Sequence, residues 1–555
     1  MSTKGSILLV DNNSSVTDSY PPFLKREGFD ILVASNVNNA LEILKSNTIH
    51  LVLSDVHLID DNDPNDYSGI EFIKGIDLGI RRIFITGCQN DIPVELFNSL
   101  SKKQMHGMPI TDGWIFKGDI TTKGWKDTIE EINRIFREDV RINFDLDIYV
   151  DGKNSIDGLV KILLHHIRGI KESSYDEEKL SKEIIEVVQK LFYEEKRADI
   201  EILNVGGYSE TVVIKVHATK EKSGLSIPVI IKIGLKDDIL IEYSNYRDYV
   251  KPKTAAFRTA RIEKNIALTK LLGGIEYTLI GDSAETIVTF KKYYQTHEWT
   301  SVSKSIKNVF RICEHWYKDR EKREIINIVD AYQGYYKFSF DKLENEWLKK
   351  KTPDYFKHTT ISFPNIKGDF INPVYWLINK GSFQIALYQC IVHGDLNSGN
   401  ILVDKNSESW LIDFYSVGKS FILRDFIELE TEVKFNLIEE MELDKILKFE
   451  LLLLQNCSFE EKTGNLLKDI RRKELKKGFK TIQLIREHAG KAISPETNMK
   501  AYYVGLLMHT LSLLRFYQIS KRRRHHMLLS ASLICKKLDE WQNQKAFDSI
   551  IEINK

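Results

Sequence analysis

The sequence predicts a multidomain chain: an α/β doubly wound domain first, then a larger α+β region. Three observations carry that expectation. Short apolar runs alternate with helical patterns through the first 140 residues, a strand-rich stretch opens near Ile200, and beyond Asp425 the spacing is helical to the end. Length agrees, since 555 residues exceed one typical core and imply about three or four domains. The pattern divides into residues 1–140, a helical connector over 141–195, a strand-rich part over 196–300 and a larger part over 301–555.

Composition narrows the function classes. Hydrophobic residues make up 42% and charged residues 28%, which is globular rather than disordered. With 79 basic and 79 acidic residues, nothing global steers the chain to nucleic acid or an anionic membrane. The cysteines, Cys88, Cys313, Cys390, Cys457 and Cys535, have neither metal nor disulfide spacing, which fits a reducing cytosol. The start lacks a basic, apolar leader, and the apolar runs near Glu450 and Tyr502 are too short or interrupted to span a bilayer. A cytoplasmic protein without nucleic-acid or membrane partners is expected.

The first domain reads strand by strand. Ile7-Leu8-Leu9-Val10 ends in Asp11-Asn12, a helix runs from about Val16 to Glu27, and Asp30 to Ala34 forms the second strand. Leu51 to Asp55, Ile83 to Gly87 and Trp114 to Lys117 supply three more. In a doubly wound sheet the strand ends gather at one ligand-binding edge, so Asp11, Asp55, Thr86 and Lys117 meet there. This constellation resembles the receiver domain of two-component response regulators. The resemblance implies Asp55 as phosphoacceptor, Asp11 and Asp55 as magnesium ligands, and Thr86 and Lys117 as the groups that hold the acyl phosphate. It also implies a phosphodonor such as a sensor histidine kinase, and places Trp114 where receivers often carry a switching aromatic. Three departures stand out. Asn12 replaces the second acid of the usual pair, Gly118 replaces the proline after the lysine, and an acidic stretch from Ile59 to Ser68 reads as a long solvated loop.

In the connector, Leu159, Ile162, Leu163 and Ile167, then Ile184, Ile185, Val188, Leu191 and Phe192, have helical spacing. Packed helices without a Gly/Ser or Pro-rich linker transmit a rotation better than a tether does. The next part turns to strands. Asn204-Val205-Gly206-Gly207-Tyr208-Ser209 is either an ordinary hairpin turn or a loop whose glycines let backbone approach phosphates. In Pro228 to Gly234 a single lysine, Lys232, lies inside an apolar run, so it sits at a bend or reaches a buried anion.

The most informative stretch is Ile391-Val392-His393-Gly394-Asp395-Leu396-Asn397-Ser398-Gly399-Asn400-Ile401-Leu402-Val403-Asp404, followed by Trp410-Leu411-Ile412-Asp413-Phe414. Two apolar runs around a polar turn predict a hairpin that brings Asp413 back beside Asp395 and Asn400. Asp395 can take the proton of an attacking hydroxyl, while Asn400 and Asp413 can hold magnesium on phosphates. The pattern resembles aminoglycoside and choline phosphotransferases, bilobal relatives of protein kinases; with Gly206-Gly207-Tyr208-Ser209, Val229 to Gly234, Glu242 and Tyr246, Gly273-Gly274 and Asp425 to Glu430, the chain is most similar to a ternary-complex-associated type. The resemblance implies Asp395 as catalytic residue with His393 supporting its loop, and Asn400 and Asp413 as magnesium ligands. It also implies ATP held by Gly206, Gly207, Ser209, Lys232 and Glu242 in a small lobe, with Glu242 the nearest candidate for the helix glutamate that pairs with Lys232. Arg424-Asp425-Phe426-Ile427-Glu428-Leu429-Glu430 is similar to the family's D-[LF]-A-x-L-E helix start.

The sequence therefore leads to an ATP- and magnesium-dependent phosphotransferase governed by a receiver domain in a prokaryotic phosphorelay. Its alternative is an inactive nucleotide-binding adaptor with a docking receiver. The acceptor hydroxyl stays open between small molecule and protein. A basic cluster, Lys521 to His526, reads as a solvated face or an intramolecular docking patch before it reads as a site for an acidic ligand.

Overall fold

The computed structural model describes the chain except residues 1–3, 61–62, 64, 78, 88–102, 105–107, 118–121, 154, 167–175, 206–210, 221–227, 254–259, 263–265, 279–286, 322, 337–338, 340–342, 344–357, 381, 460–463, 494–498, 517–518, 542, 544, 546 and 555. It forms two compact units: Met1–Ser244 with Arg261–Leu279, and Asn245–Ala260 with Ile280–Lys555.

The first unit opens with five parallel strands, β1 (Ser6–Val10), β2 (Asp30–Ala34), β3 (Leu51–Asp55), β4 (Arg81–Thr86) and β5 (Gly113–Phe116). Their order is β2-β1-β3-β4-β5, the flavodoxin-like doubly wound arrangement. Both faces are covered, so successive residues enter opposite cores. Ile7, Leu9, Leu51 and Leu53 pack with Tyr20, Leu24 and Ile132 of helices α1 (Ser14–Arg26) and α4 (Thr122–Ile135). Leu8, Val10 and Val52 pack with Ala40 and Ile73 of α2 (Val37–Ser46) and α3 (Ser68–Lys74). That is why these strands read as unbroken apolar runs. The side chain of Asn13 caps α1 by accepting from the Ser15 N–H. In the Ile59 to Ser68 stretch Ile59, Asp60, Asp63 and Asn65 are exposed, and Asp66 accepts the N–H groups of Ile59, Asp60 and Ser68 at 2.8–2.9 Å.

A six-stranded sheet completes this unit. It holds β6 (Asp147–Val150), β7 (Arg197–Val205), β8 (Val212–Thr219), β9 (Val229–Leu235), β10 (Ala267–Leu268) and β11 (Leu272–Tyr277), in the order β10-β11-β9-β8-β7-β6. Helices α5 (Asp157–His166) and α6 (Glu177–Leu191) share its core. The connector is thus not wholly helical, which corrects the reading of residues 141–195. Leu146, Ile148 and Val150 alternate into the core, and β6 runs parallel to β7 as the sheet's edge. A four-residue strand carries too little period-2 signal to stand out beside two long helices. Ile167 lies outside the described residues.

Within this unit the five-stranded sheet meets the six-stranded one at the amino-terminal ends of its strands. Asp77, just before β4, pairs with Lys236, and Lys270 donates to the carbonyl oxygens of Leu44 and Lys45 at the end of α2. His50, just before β3, lies 3.8 Å from Glu186, which Lys190 pairs at 2.6 Å. Glu183 anchors the β10–β11 turn by accepting the N–H groups of Leu271 and Leu272.

The second unit is mostly helical. Strand β12 (Val288–Thr289) pairs with β14 (Ile401–Val403), which forms a hairpin with β15 (Ser409–Leu411). Strand β13 (Gln389–Val392) pairs with β16 (Gly418–Phe421). The hairpin is the one expected, in the register Ile401↔Leu411 and Leu402↔Trp410. Helices α8 (Trp299–Lys318), α9 (Ile328–Tyr336), α10 (Arg424–Glu432), α11 (Leu443–Leu453), α12 (Lys473–Ala492), α13 (Met499–Leu513) and α14 (Lys521–Asp539) surround these strands. The basic cluster begins α14 and is part solvated face, at Lys521 and Arg522, and part intramolecular docking patch. Arg524, His525 and His526 are buried, Arg522 pairs with Glu442, and His526 lies 2.7 Å from Glu450. No described helix is long and apolar enough to cross a membrane.

Candidate functional site

Three groups of side chains carry chemistry, and each follows from a local backbone feature. At the carboxyl ends of β1, β3 and β4 lie Asp11, Asp55 and Thr86, all buried. Lys117, directly after β5, reaches both carboxylates, at 2.5 Å from Asp55 and 2.9 Å from Asp11. The structure therefore gathers the residues that the sequence assigned to one edge. Burial raises the Asp55 carboxyl to about 6, against the pull of Lys117. Asn12 turns an oxygen inward, and that buried Oδ1 has no hydrogen-bond partner among the described residues. That oxygen and the carboxylates of Asp11 and Asp55 are hard donors, the kind a magnesium ion takes. Trp114 stacks on Phe84 at 4.6 Å between ring centroids. Gly118 lies outside the described residues.

The second group belongs to the six-stranded sheet. Lys232 is central in β9, opposite Val213 on one side and Ile275 on the other. Helix α7 (Lys236–Asn245) follows without a break and returns Glu242 to the lysine at 2.7 Å. Both side chains are buried, so each charge requires the other. The lysine reaches a buried anion, which settles the choice left by the sequence. Tyr277 of β11 donates to the other oxygen of Glu242, a partner that nothing in the sequence signalled. Gly206, Gly207 and Ser209 lie outside the described residues.

The third group is the loop after β13. Gly394 has φ +74°, and a Cβ there would stand 2.4 Å from the Ser416 carbonyl oxygen, so only glycine fits. Asp395 accepts from Asn397 Nδ2 at 2.9 Å and from Asn400 Nδ2 at 3.1 Å. Asn400 Nδ2 also donates to the Asp395 carbonyl at 2.9 Å, which leaves its Oδ1 for an ion. Asp413 follows β15 with φ +68° and is buried. Burial first, and the charge of Asp413 second, raise the Asp395 carboxyl above its usual range. His393 contacts the Ile412 carbonyl through Nε2 at 3.1 Å, tying the loop to the residue before Asp413. Two carboxylates and an amide oxygen are hard donors, again suited to magnesium.

Asp425, the first acid of α10, accepts the N–H groups of His393 and Gly394 at 2.9 and 2.8 Å, and the Tyr317 hydroxyl at 2.8 Å. The sequence marked this helix start without giving it a role. Arg424 and Glu428 make further loop contacts; the sequence placed both in that helix start without a role, because an i,i+4 ion pair is ordinary in any helix.

Against known proteins, a family model described as ternary complex associated domain 9 matches residues 371–510. That stretch includes the loop, the hairpin and α10, and the type agrees with the resemblance drawn from the sequence. No curated protein matches. Among solved structures, a CheY-like receiver domain from Methanospirillum hungatei is similar at 22% identity, over 24% of this chain and 94% of its own, with a TM-score of 0.19. The choline kinase of Streptococcus pneumoniae is similar at 12% identity, over 62% of this chain and 93% of its own, with a TM-score of 0.31. A spectinomycin phosphotransferase solved with ADP and spectinomycin is similar at 13% identity, over 61% of this chain and 93% of its own, with a TM-score of 0.27.

Proposed function

We propose that this chain is an ATP- and magnesium-dependent phosphotransferase for a hydroxyl acceptor, governed by its receiver-type domain and a phosphodonor that acts on Asp55. The observation that carries the reading is the loop geometry: Asp395 is held on both carboxylate oxygens by Asn397 and Asn400, with the charge of Asp413 beside it. Asp395 accepts the proton of the acceptor hydroxyl as that oxygen bonds to the γ-phosphorus of ATP. The bond from phosphorus to the β,γ-bridging oxygen breaks, and ADP leaves with its electrons. Asn400 and Asp413 would hold magnesium, which neutralises phosphate charge when bound. Lys232, oriented by Glu242 and Tyr277, offers its ammonium to the nucleotide phosphates.

Single-turnover conversion of γ-labelled ATP tests this reading. Wild type should form ADP with magnesium present, and Asp395→Ala should bind ATP but turn it over about 10²- to 10⁴-fold more slowly. Equal rates would leave the nucleotide-binding adaptor as the better account.

Control by the first domain draws support from Asp77, which pairs with Lys236, the first residue of the helix that carries Glu242. The Asp55 edge lies at the opposite end of the strands, about 17 Å away for a five-residue strand. A signal therefore travels the length of the sheet. Coupling of about 1–3 kcal/mol would change nucleotide affinity about 5- to 150-fold. Beryllofluoride with Asp55→Ala as control measures it, and unchanged affinity after modification of Asp55 would reduce the domain to a docking module.

A further inference from the structure

Asp395 stands between two peptide groups, and one ion pair holds both. Arg424 Nη2 donates to the Gly394 carbonyl oxygen, the acceptor of the peptide entering Asp395. The Leu396 N–H, the donor of the peptide leaving it, reaches Glu428 Oε2 at 3.0 Å. Arg424 Nε closes the link to Glu428 Oε1 at 2.8 Å. The guanidinium is braced by the rings of Tyr335 and Tyr336, with centroids at 5.3 and 5.5 Å.

The loop has a reason to need this hold. Gly394 is required by the closeness of Ser416, yet glycine is the residue whose own sterics restrain its peptides least. A turn of either peptide would swing the Asp395 side chain. Asp425 ties the N–H groups of His393 and Gly394 but touches neither peptide of Asp395, and Asn397 and Asn400 reach the carbonyl of the leaving peptide while the entering peptide's carbonyl goes to Arg424. Glu428 lies three residues on from Asp425, on the same face of α10.

We infer that Arg424 and Glu428 form a peptide clamp that sets the direction of the Asp395 carboxylate; they are positioning residues for phosphoryl transfer, and the inference rests on the phosphotransferase reading. Burial, with the charges of Asp425 and Asp395, raises the Glu428 carboxyl to about 7 against the pull of Arg424. Arg424 draws that value down as well as holding the neighbouring carbonyl. A reacting group displaced by about 1 Å loses on the order of 10²-fold in rate, whereas nucleotide binding through other residues is untouched.

The test uses the full chain, Mg-ATP as probe, and three readouts: single-turnover ADP formation, calorimetric ATP affinity, and hydrogen exchange of the segment 393–400. Glu428→Ala should slow turnover about 10- to 100-fold at unchanged ATP affinity. It should speed exchange at 393–400 while the rest of the second unit keeps its protection. Glu428→Gln keeps an oxygen for the Leu396 N–H and should fall between Ala and wild type. Arg424→Met combined with Glu428→Ala should cost little beyond the single change, because the pair acts as one device. Wild-type exchange and turnover in Glu428→Ala would overturn the clamp. So would a loss of turnover matched by the loss of ATP affinity, or faster exchange throughout the unit. A wild type that never turns over ATP would defeat the phosphotransferase reading, and local exchange at 393–400 would still decide whether the ion pair holds the loop.

Discussion

In the first domain Lys117 lies within 2.9 Å of both Asp11 and Asp55, whereas in the loop after β13 Asp395 takes its hydrogen bonds from the amides of Asn397 and Asn400 and faces the charge of Asp413. Both sites bring acids together, but they balance charge differently. An ammonium at hydrogen-bond distance offsets part of the desolvation of two carboxylates in the resting protein. Amides orient a carboxylate without cancelling its charge, so the second site stays a stronger attractor for an added cation. On this account the receiver-type edge is stable without metal, and the loop becomes competent when a divalent ion arrives with the nucleotide.

The largest effect that would sharpen this contrast is at Asp395, where replacement by Ala should lower turnover by about 10²- to 10⁴-fold and leave nucleotide affinity in place. If affinity fell in parallel, the residue would be holding the ligand rather than serving the reacting hydroxyl.

The next effect reverses the contrast by removing the built-in cation. Lys117→Ala strands two buried carboxylates and should destabilise the first unit by about 3 kcal/mol in chelator. Magnesium should recover part of the loss in the variant and add less to wild type. Thermal melting with and without magnesium measures both, and a variant as stable as wild type in chelator would show that the lysine is not the balancing charge.

The smallest effect concerns a balanced cluster in the first unit. His50 is buried against Glu186 and Lys190, and burial lowers it from 6.5 to about 4. A histidine whose folded value is depressed adds stability above pH 6.5, and that stability is lost as pH falls through about 4. The loss should be on the order of 1–3 kcal/mol, and His50→Gln should flatten the profile between these limits. Denaturant melts at stepped pH check the slope. An equal slope in the variant would assign the acid sensitivity elsewhere.

How much of this was legible in the sequence depends on the range of each interaction. The loop from His393 to Asp413 was readable because its residues lie close in the chain and its hairpin is short. The edge of Asp11, Asp55, Thr86 and Lys117 was readable because a doubly wound sheet sends every strand end to one side. The Lys232–Glu242 pair was readable through the resemblance to kinase-like small lobes, and it forms because a strand runs straight into a helix. Contacts between distant segments were not readable. Tyr277 on Glu242, Asp77 on Lys236 and Arg424 on the Gly394 carbonyl join residues whose local patterns are unremarked. The strand at Asp147–Val150 was lost for another reason, since four residues beside long helices give almost no period.

The central claim is that the loop's acids depend on an added cation, and calorimetry of ATP binding to Asp413→Ala tests it most directly. Wild type should bind ATP with magnesium and lose most of that affinity in chelator. Asp413→Ala should bind weakly in both, because the missing carboxylate is the one assigned to the metal. An affinity in Asp413→Ala equal to that of wild type with magnesium would contradict the account.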